Sequence, residues 1–205
     1  MLNTTRFSLI LFLLCIHYVS YSQPILGGPC QGCEAIYDYG QQPLSPTDTL
    51  PGFHVYKPKL MIEGTVFQAD GRSPAEGVIL YVYHTNREGI YKPKEGQTGW
   101  ASIHGHIRGW MQTGPDGFYR FYTFLPAPYP DGRAPAHIHI TVKEPLKRAY
   151  YLDSFFFSND PLLTPEKIAT HTNRGGSGIL TLVERRGIWT ARRDIILGEN
   201  IPNYP

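Results

Sequence analysis

Several protein classes are excluded by what this sequence has little of. A membrane-spanning helix needs about 18 or more consecutive apolar residues, and the apolar run Phe7 to Ile16 is cut off by His17, Tyr18 and Ser20. The formal net charge is only +2, too small to draw the chain to nucleic acid or to an acidic membrane surface. Arg185-Arg186 and Arg192-Arg193 are short pairs that read as solvated strand positions. No internal repeat and no long low-complexity tract is visible. Helix signals are also scarce, because only Thr164 to His171, opening Thr-Pro-Glu-Lys, places proline in the first turn of a short helix.

Cysteine is rare as well, with three in the chain. Arg6 ahead of the apolar run, and the small residues Ser20 and Ser22 before Gln23, form the pattern of a secretory signal. Residues 1–22 are therefore expected to leave, taking Cys15 with them, and the mature protein is expected to be secreted or periplasmic. Leu14 before Cys15 is unlike a lipoprotein signal, which wants a small residue there. Cys30 and Cys33 remain as Cys-Gln-Gly-Cys. In an exported chain a local disulfide is the favoured reading, ahead of a disulfide between subunits; zinc would need two further ligands, and no second Cys pair exists.

What is present divides into two stretches. Residues 23–58 are rich in Gly, Pro and Gln and cannot build a core of their own. They read as an arm lying over the domain or over a neighbouring subunit of a homodimer. From Lys59 onward the segments 60–67, 78–84, 117–124, 136–142, 150–157, 179–183 and 189–197 read as strands, and turn signals such as Ala69-Asp-Gly-Arg and Gly114-Pro-Asp-Gly separate several of them. Residues 59–205 are thus expected to form one all-β domain, a sandwich or barrel.

The chemistry concentrates between Pro126 and His139. The run from Ala136 to Val142 alternates and is β-branched, so a strand sends His137 and His139 to one face, about 7 Å apart. Just upstream, Tyr129 stands between Pro128 and Pro130, whose fixed φ angles make a stiff presenter of one phenol. A second presented phenol is Tyr91, in the loop after the strand 78–84. His104-Gly-His106 repeats the His-x-His pattern in a loop-like setting and is the weaker candidate, surface or supporting.

Gly117 to Pro130, followed by Pro135-Ala-His-Ile-His139, resembles the signature of the intradiol ring-cleavage dioxygenases, the catechol and protocatechuate 3,4-dioxygenase group. Asn86 to Lys94 is similar to that family's first-tyrosine segment, and Phe155 to Pro161 to its strand after the histidines. The likeness runs over roughly residues 59–200. It implies a β-sandwich holding a mononuclear non-haem Fe(III) on Tyr91, Tyr129, His137 and His139. Two phenolates and two imidazoles are a donor set suited to a trivalent iron. A free phenol has a pKa near 10, so the cation must favour the ionised form. The resemblance further implies a substrate that is an aromatic 1,2-diol, cleaved by O2 to a cis,cis-muconate-type diacid, with Tyr129 released from the metal as the diol binds.

Three positions depart from the family pattern. The arginine usual before Pro-Ala-His is Ala134 here, and Arg133, one residue earlier, is expected to reach the same place. Ser154 stands where larger relatives carry a pocket glutamine. The helical N-terminal dimerisation domain of the catechol branch is absent, which gives this chain the look of a short, exported variant. Ile90, Trp100 and Trp110 are pocket candidates, with core packing the better reading of both tryptophans.

Two rivals stand beside this reading. His137-x-His139-x4-Glu144 echoes a cupin metal motif, although an unbroken strand would put Glu144 on the opposite face. A secreted transthyretin-like β-sandwich that binds a partner without catalysis is the other.

Overall fold

A computed structural model describes residues 24–205, so the expected signal lies outside the described residues. The described residues form the strands β1 (Thr47–Thr49), β2 (Lys59–Phe67), β3 (Ile79–Tyr83), β4 (Arg108–Gln112), β5 (Phe118–Phe124), β6 (His137–Lys143), β7 (Tyr150–Tyr151), β8 (Phe155–Phe157), β9 (Ile179–Leu180), β10 (Val183–Arg185), β11 (Ile188–Arg192) and β12 (Ile195–Ile196). One sheet runs β1-β5-β2-β11-β10 with β12 also on β2; the other runs β4-β3-β6-β8-β9 with β7 also on β6.

The sheets pack face to face as a β-sandwich, and the alternation of each strand decides what lies between them. Leu60, Ile62 and Val66 of β2 meet Leu80 and Val82 of β3 and Ile138, Ile140 and Val142 of β6 in one apolar core. The parity of β6 therefore turns His137 and His139 outward, onto the far face of the second sheet. That outer face is not left to solvent. The 3-10 turn Cys33–Tyr37 lies on it, burying Ala35 and Ile36 against Tyr81 in a small second cluster with Trp100 and Trp110.

Several sequence expectations need correction. The segment 150–157 is two strands, and 189–197 breaks at Arg193 and Asp194. The segment 179–183 crosses between the sheets, with Leu180 pairing in one and Val183 in the other. Strand β4 was not expected, since Arg-Gly-Trp-Met-Gln has a glycine at its second position and little β-branching. Its pairing with β3 supplies the order that its composition does not. The arm is not wholly irregular either, because β1 pairs in parallel with β5. The short helix α1 (Trp100–Ile103) was also unforeseen, whereas α2 (Pro165–Ala169) starts at the expected Thr164, whose Oγ1 accepts from Lys167 N at 3.4 Å.

Candidate metal centre

Two loops carry the phenols to the outward face of β6. Asn86 folds the first: its Oδ1 accepts from the amides of Glu88 and Ile90, both at 3.0 Å, and its own amide donates to Ile90 O at 2.9 Å. Thr85 Oγ1 donates to Ala127 O at 2.7 Å, which ties this loop to the segment bearing Tyr129. Gly89 sits where the two loops touch. Its φ of +75° favours glycine, and any Cβ there would run into the Pro128 carbonyl. Behind Tyr91, the next backbone carbonyl, that of Lys92, is held by His106, which donates from its amide at 3.1 Å and from Nδ1 at 2.7 Å.

The four expected side chains converge. Tyr91 Oη lies 2.7 Å from Tyr129 Oη and 2.8 Å from His139 Nε2. Tyr129 Oη is 3.2 Å from His137 Nε2 and 3.5 Å from His139 Nε2, and the two imidazole Nε2 atoms stand 3.1 Å apart. The His137 ring is oriented from behind, because Pro135 O can only accept and so requires the proton on Nδ1, at 2.8 Å. In the neutral ring Nε2 is then a bare lone pair aimed at the other three atoms.

The electrostatics oppose ionisation of this group by itself. Burial pushes the Tyr91 phenol far above its ordinary range, with the hydrogen bond to Tyr129 adding to it. Burial likewise drives His137 below the usual histidine value and His139 well below it, the latter also through the neighbouring imidazoles. A cation satisfies all four groups at once, since it replaces the phenolic protons and takes both imidazole lone pairs. The geometry fits one too: bonds of about 2.0–2.1 Å set donor-to-donor edges of about 2.9 Å at right angles and about 3.4 Å at tetrahedral angles. The observed separations of 2.7 to 3.5 Å bracket those edges. Among the described residues no three His, Cys, Asp or Glu side chains gather anywhere, so the phenols are what complete this set.

Behind the donors lies a supporting layer, of which the sequence singled out the histidines His104 and His106 but not Tyr83. Tyr83 is the cross-strand partner of His139 and stacks on it, with ring centroids 4.5 Å apart. His104 stacks on the other side of Tyr83 at 3.9 Å and meets Tyr81 Oη at 2.9 Å through Nδ1. Burial holds His104 neutral, with its pKa lowered to about 4. The second His-x-His thus supports the site, His104 behind His139 and His106 behind Tyr91. Alternation in residues 79–83 gave the face of Tyr83, and only the pairing register gave its partner. On the opposite flank Phe156 pairs with His137, with ring centroids 5.5 Å apart.

Other expected residues stand elsewhere. Arg133 is not brought to the cluster: it lies just past the turn in which Gly132 N donates to Tyr129 O at 2.9 Å, and its side chain is 87 % exposed, its closest acid being Asp131 at 4.0 Å. Glu144 is buried away from the histidines, accepting from Lys147 Nζ at 2.6 Å, Tyr150 Oη at 2.7 Å and Tyr204 Oη at 2.9 Å, which removes the cupin arrangement. Trp110 packs on Tyr81, Trp100 on His104, and Ile90 is 52 % exposed. Ser154 does reach the site, with Oγ 3.4 Å from His139 Nδ1.

Comparison with known proteins gives the family of the chain. The family described as "Dioxygenase" matches residues 46–186. Chlorocatechol 1,2-dioxygenase of Pseudomonas putida is 31% identical over 155 residues, covering 62% of this chain and 55% of that protein. Catechol 1,2-dioxygenase 1 of Acinetobacter lwoffii is 32% identical over 120 residues, 51% of this chain and 37% of that protein. The chain thus spans about half the length of the curated relatives it matches, or less. Among solved structures, 3-chlorocatechol 1,2-dioxygenase from Rhodococcus opacus 1CP aligns with a TM-score of 0.57 at 20% identity, over 87% of this chain and 73% of the other. The dioxygenase domain of a carbohydrate-binding fusion protein from Streptomyces sp. SirexAA-E aligns at 0.52 and 21% identity, over 77% of this chain and 94% of that domain. These likenesses show the shared fold.

Proposed function

This chain belongs to the intradiol ring-cleavage dioxygenase family, and from that premise we propose that it cleaves a catechol-type 1,2-diol with O2 to a muconate-type diacid at a ferric site. Tyr91, Tyr129, His137 and His139 would hold the metal. When bound, Fe(III) supplies Lewis acidity, a template for both diol oxygens and activation of the ring toward O2. The single observation that carries the reading is the cluster of two phenol oxygens and two imidazole nitrogens, in which Tyr129 Oη and His139 Nε2 each lie within 3.5 Å of the other three atoms.

The chain's own part is positional and acid–base. His137 presents an unprotonated Nε2, fixed by Pro135 O taking the Nδ1 proton, and the His139 ring is held in place by its stack on Tyr83. Tyr91 is anchored by the Asn86 loop and by His106 behind it. Tyr129 rests on a proline-flanked turn at the surface, so its Oη is the group able to swing away and accept a diol proton. Arg133 has no part in this scheme. Export of the mature chain belongs to the same proposal, and the Cys30–Cys33 disulfide supports it.

A visible spectrum separates this from a non-catalytic binding sandwich. The iron-loaded protein is expected to be burgundy to red from tyrosinate-to-Fe(III) charge transfer, and Tyr91→Phe to lose most of that colour. Catechol, chlorocatechols and hydroxyquinol form the panel for oxygen uptake, with one O2 expected per ring and the rise of a muconate-like absorbance. A colourless protein after iron loading, or no uptake across the panel, overturns the proposal.

A further inference from the structure

Behind His137 stands a carboxylate, one peptide unit away. The ring Nδ1–H goes to Pro135 O at 2.8 Å, and the N–H of that same peptide unit, on Ala136, donates to Asp160 Oδ2 at 2.7 Å. Carboxylate, peptide and imidazole thus form one hydrogen-bonded row ending at His137 Nε2, the atom 3.2 Å from Tyr129 Oη. The backing of His139 is different in kind, because its Nδ1 meets the neutral Ser154 Oγ at 3.4 Å.

Asp160 is itself fixed in place. Its amide donates to Phe157 O at 2.9 Å, its carbonyl accepts from Leu163 N at 3.0 Å, and its second carboxylate oxygen accepts from Leu162 N at 2.8 Å. From the same segment Lys167 Nζ donates to Leu162 O at 2.8 Å and to Arg133 O at 2.6 Å, so residues 133–136, which lead into β6, are gripped at both ends. Among the described residues no Lys, Arg or His is ion-paired with Asp160, and both its oxygens are turned on backbone amides. Ala136 is 5% exposed, so its amide needs an acceptor, but a carbonyl or hydroxyl would serve. An anion does more. Hydrogen-bonded groups in a row polarise one another by about 10–30% per bond, and a histidine whose far N–H is drawn toward negative charge is the stronger metal ligand through its other nitrogen.

We propose that Asp160 is a positioning residue of the metal centre: acting through the Pro135–Ala136 peptide, its carboxylate holds the proton on His137 Nδ1 and makes Nε2 a stronger donor, which biases the centre toward Fe(III). The inference rests on the ferric reading of the same cluster.

The test compares the full chain as wild type, Asp160→Asn and Lys167→Met. Asparagine keeps the shape and one acceptor oxygen but loses the charge, whereas Lys167→Met loosens the same loop and leaves the carboxylate in place. Iron-loaded Asp160→Asn is expected to show a ferric/ferrous midpoint about 59 mV higher, which is a tenfold loss of ferric over ferrous affinity, with the charge-transfer band at longer wavelength. Lys167→Met is expected to lower the melting temperature without raising the midpoint. In the iron-free wild type, NMR of the ring nitrogens is expected to find the His137 proton on Nδ1, and in Asp160→Asn to find part of it on Nε2. Should Asp160→Asn not fold, Asp160→Ser takes its place with the same expectations. An unchanged midpoint in the coloured Asp160→Asn protein, an equal rise in Lys167→Met, or a wild-type His137 protonated on Nε2 overturns the role of Asp160. The parent reading fails separately, when the wild type stays colourless after iron loading; the NMR measurement needs no metal and still decides whether the carboxylate sets the tautomer.

Discussion

The two faces of strand β6 differ by one residue in register and by almost everything in role. Ile138, Ile140 and Val142 enter the sandwich core, each no more than 2% exposed, and their worth is burial. His137 and His139, interleaved with them, sit under loops on the outer face, where burial has replaced water by the phenols of Tyr91 and Tyr129. The inner face is bought with apolar area, while the outer face is a polar cluster that the fold tolerates. A single strand therefore carries stability on one side and chemistry on the other, and the two should be separable by substitution.

The largest expected effect is on the outer face. His139→Ala is expected to abolish the charge-transfer colour and to lower turnover by more than the roughly 10–100-fold typical of losing an outer-shell partner, with little change in melting temperature. If the variant melts far below the wild type, the division between the faces fails. Next comes the inner face: Ile140→Ala, one position along, is expected to cost about 2–5 kcal/mol and lower the melting temperature on the order of 10 °C. A folded fraction of that protein should keep its colour, and a bleached but folded fraction would show that the faces are coupled.

A third experiment reads the inner face by pH. His84 ends β3 on the core side, between Thr123 Oγ1 at 2.6 Å and Thr85 O at 2.7 Å, and burial lowers its pKa to about 4 from 6.5. The unfolded chain binds this proton more readily than the folded one, so the contribution to stability is complete above about pH 6.5 and falls as the pH drops toward 4. Urea denaturation at pH 7 and pH 4.5 should differ by about 2–3 kcal/mol more in the wild type than in His84→Gln. Equal pH slopes would place the titration elsewhere.

Smaller effects sharpen the boundary of the outer site. Tyr83→Ala removes the ring between His104 and His139, and is expected to lower turnover about tenfold while iron is still bound, a result checked by metal content beside the rate. Arg133→Ala should leave both colour and kcat/KM within about twofold, as befits an exposed side chain; a loss beyond tenfold would mean that the turn at 130–133 closes over the substrate.

Much of this was legible in the residues. Pro-Tyr-Pro and His-Ile-His each declare a presented side chain through local rules, proline stiffness and the period of two, and those rules need no knowledge of the rest of the chain. The strand at 60–67 and the short helix after Thr164 are local in the same sense. Arg133 could not be placed from its proximity to Pro-Ala-His, because one turn between Pro130 and Arg133 decides whether a guanidinium faces the cluster or the water. Which side chain His104 supports was hidden for a similar reason: its stacking partner Tyr83 lies 21 positions earlier in the chain.

The sequence by itself determined the donor types, the parity that puts both imidazoles on one face, and an all-β chain whose segments could build a sandwich, since all three depend on neighbours within a few residues. Only the tertiary structure decided which face that was, that Tyr91 and Tyr129 meet the imidazoles there, and that the arm packs beside His139. Those outcomes depend on contacts between segments tens of residues apart, where register and packing of the core fix the distances and local propensity has no say.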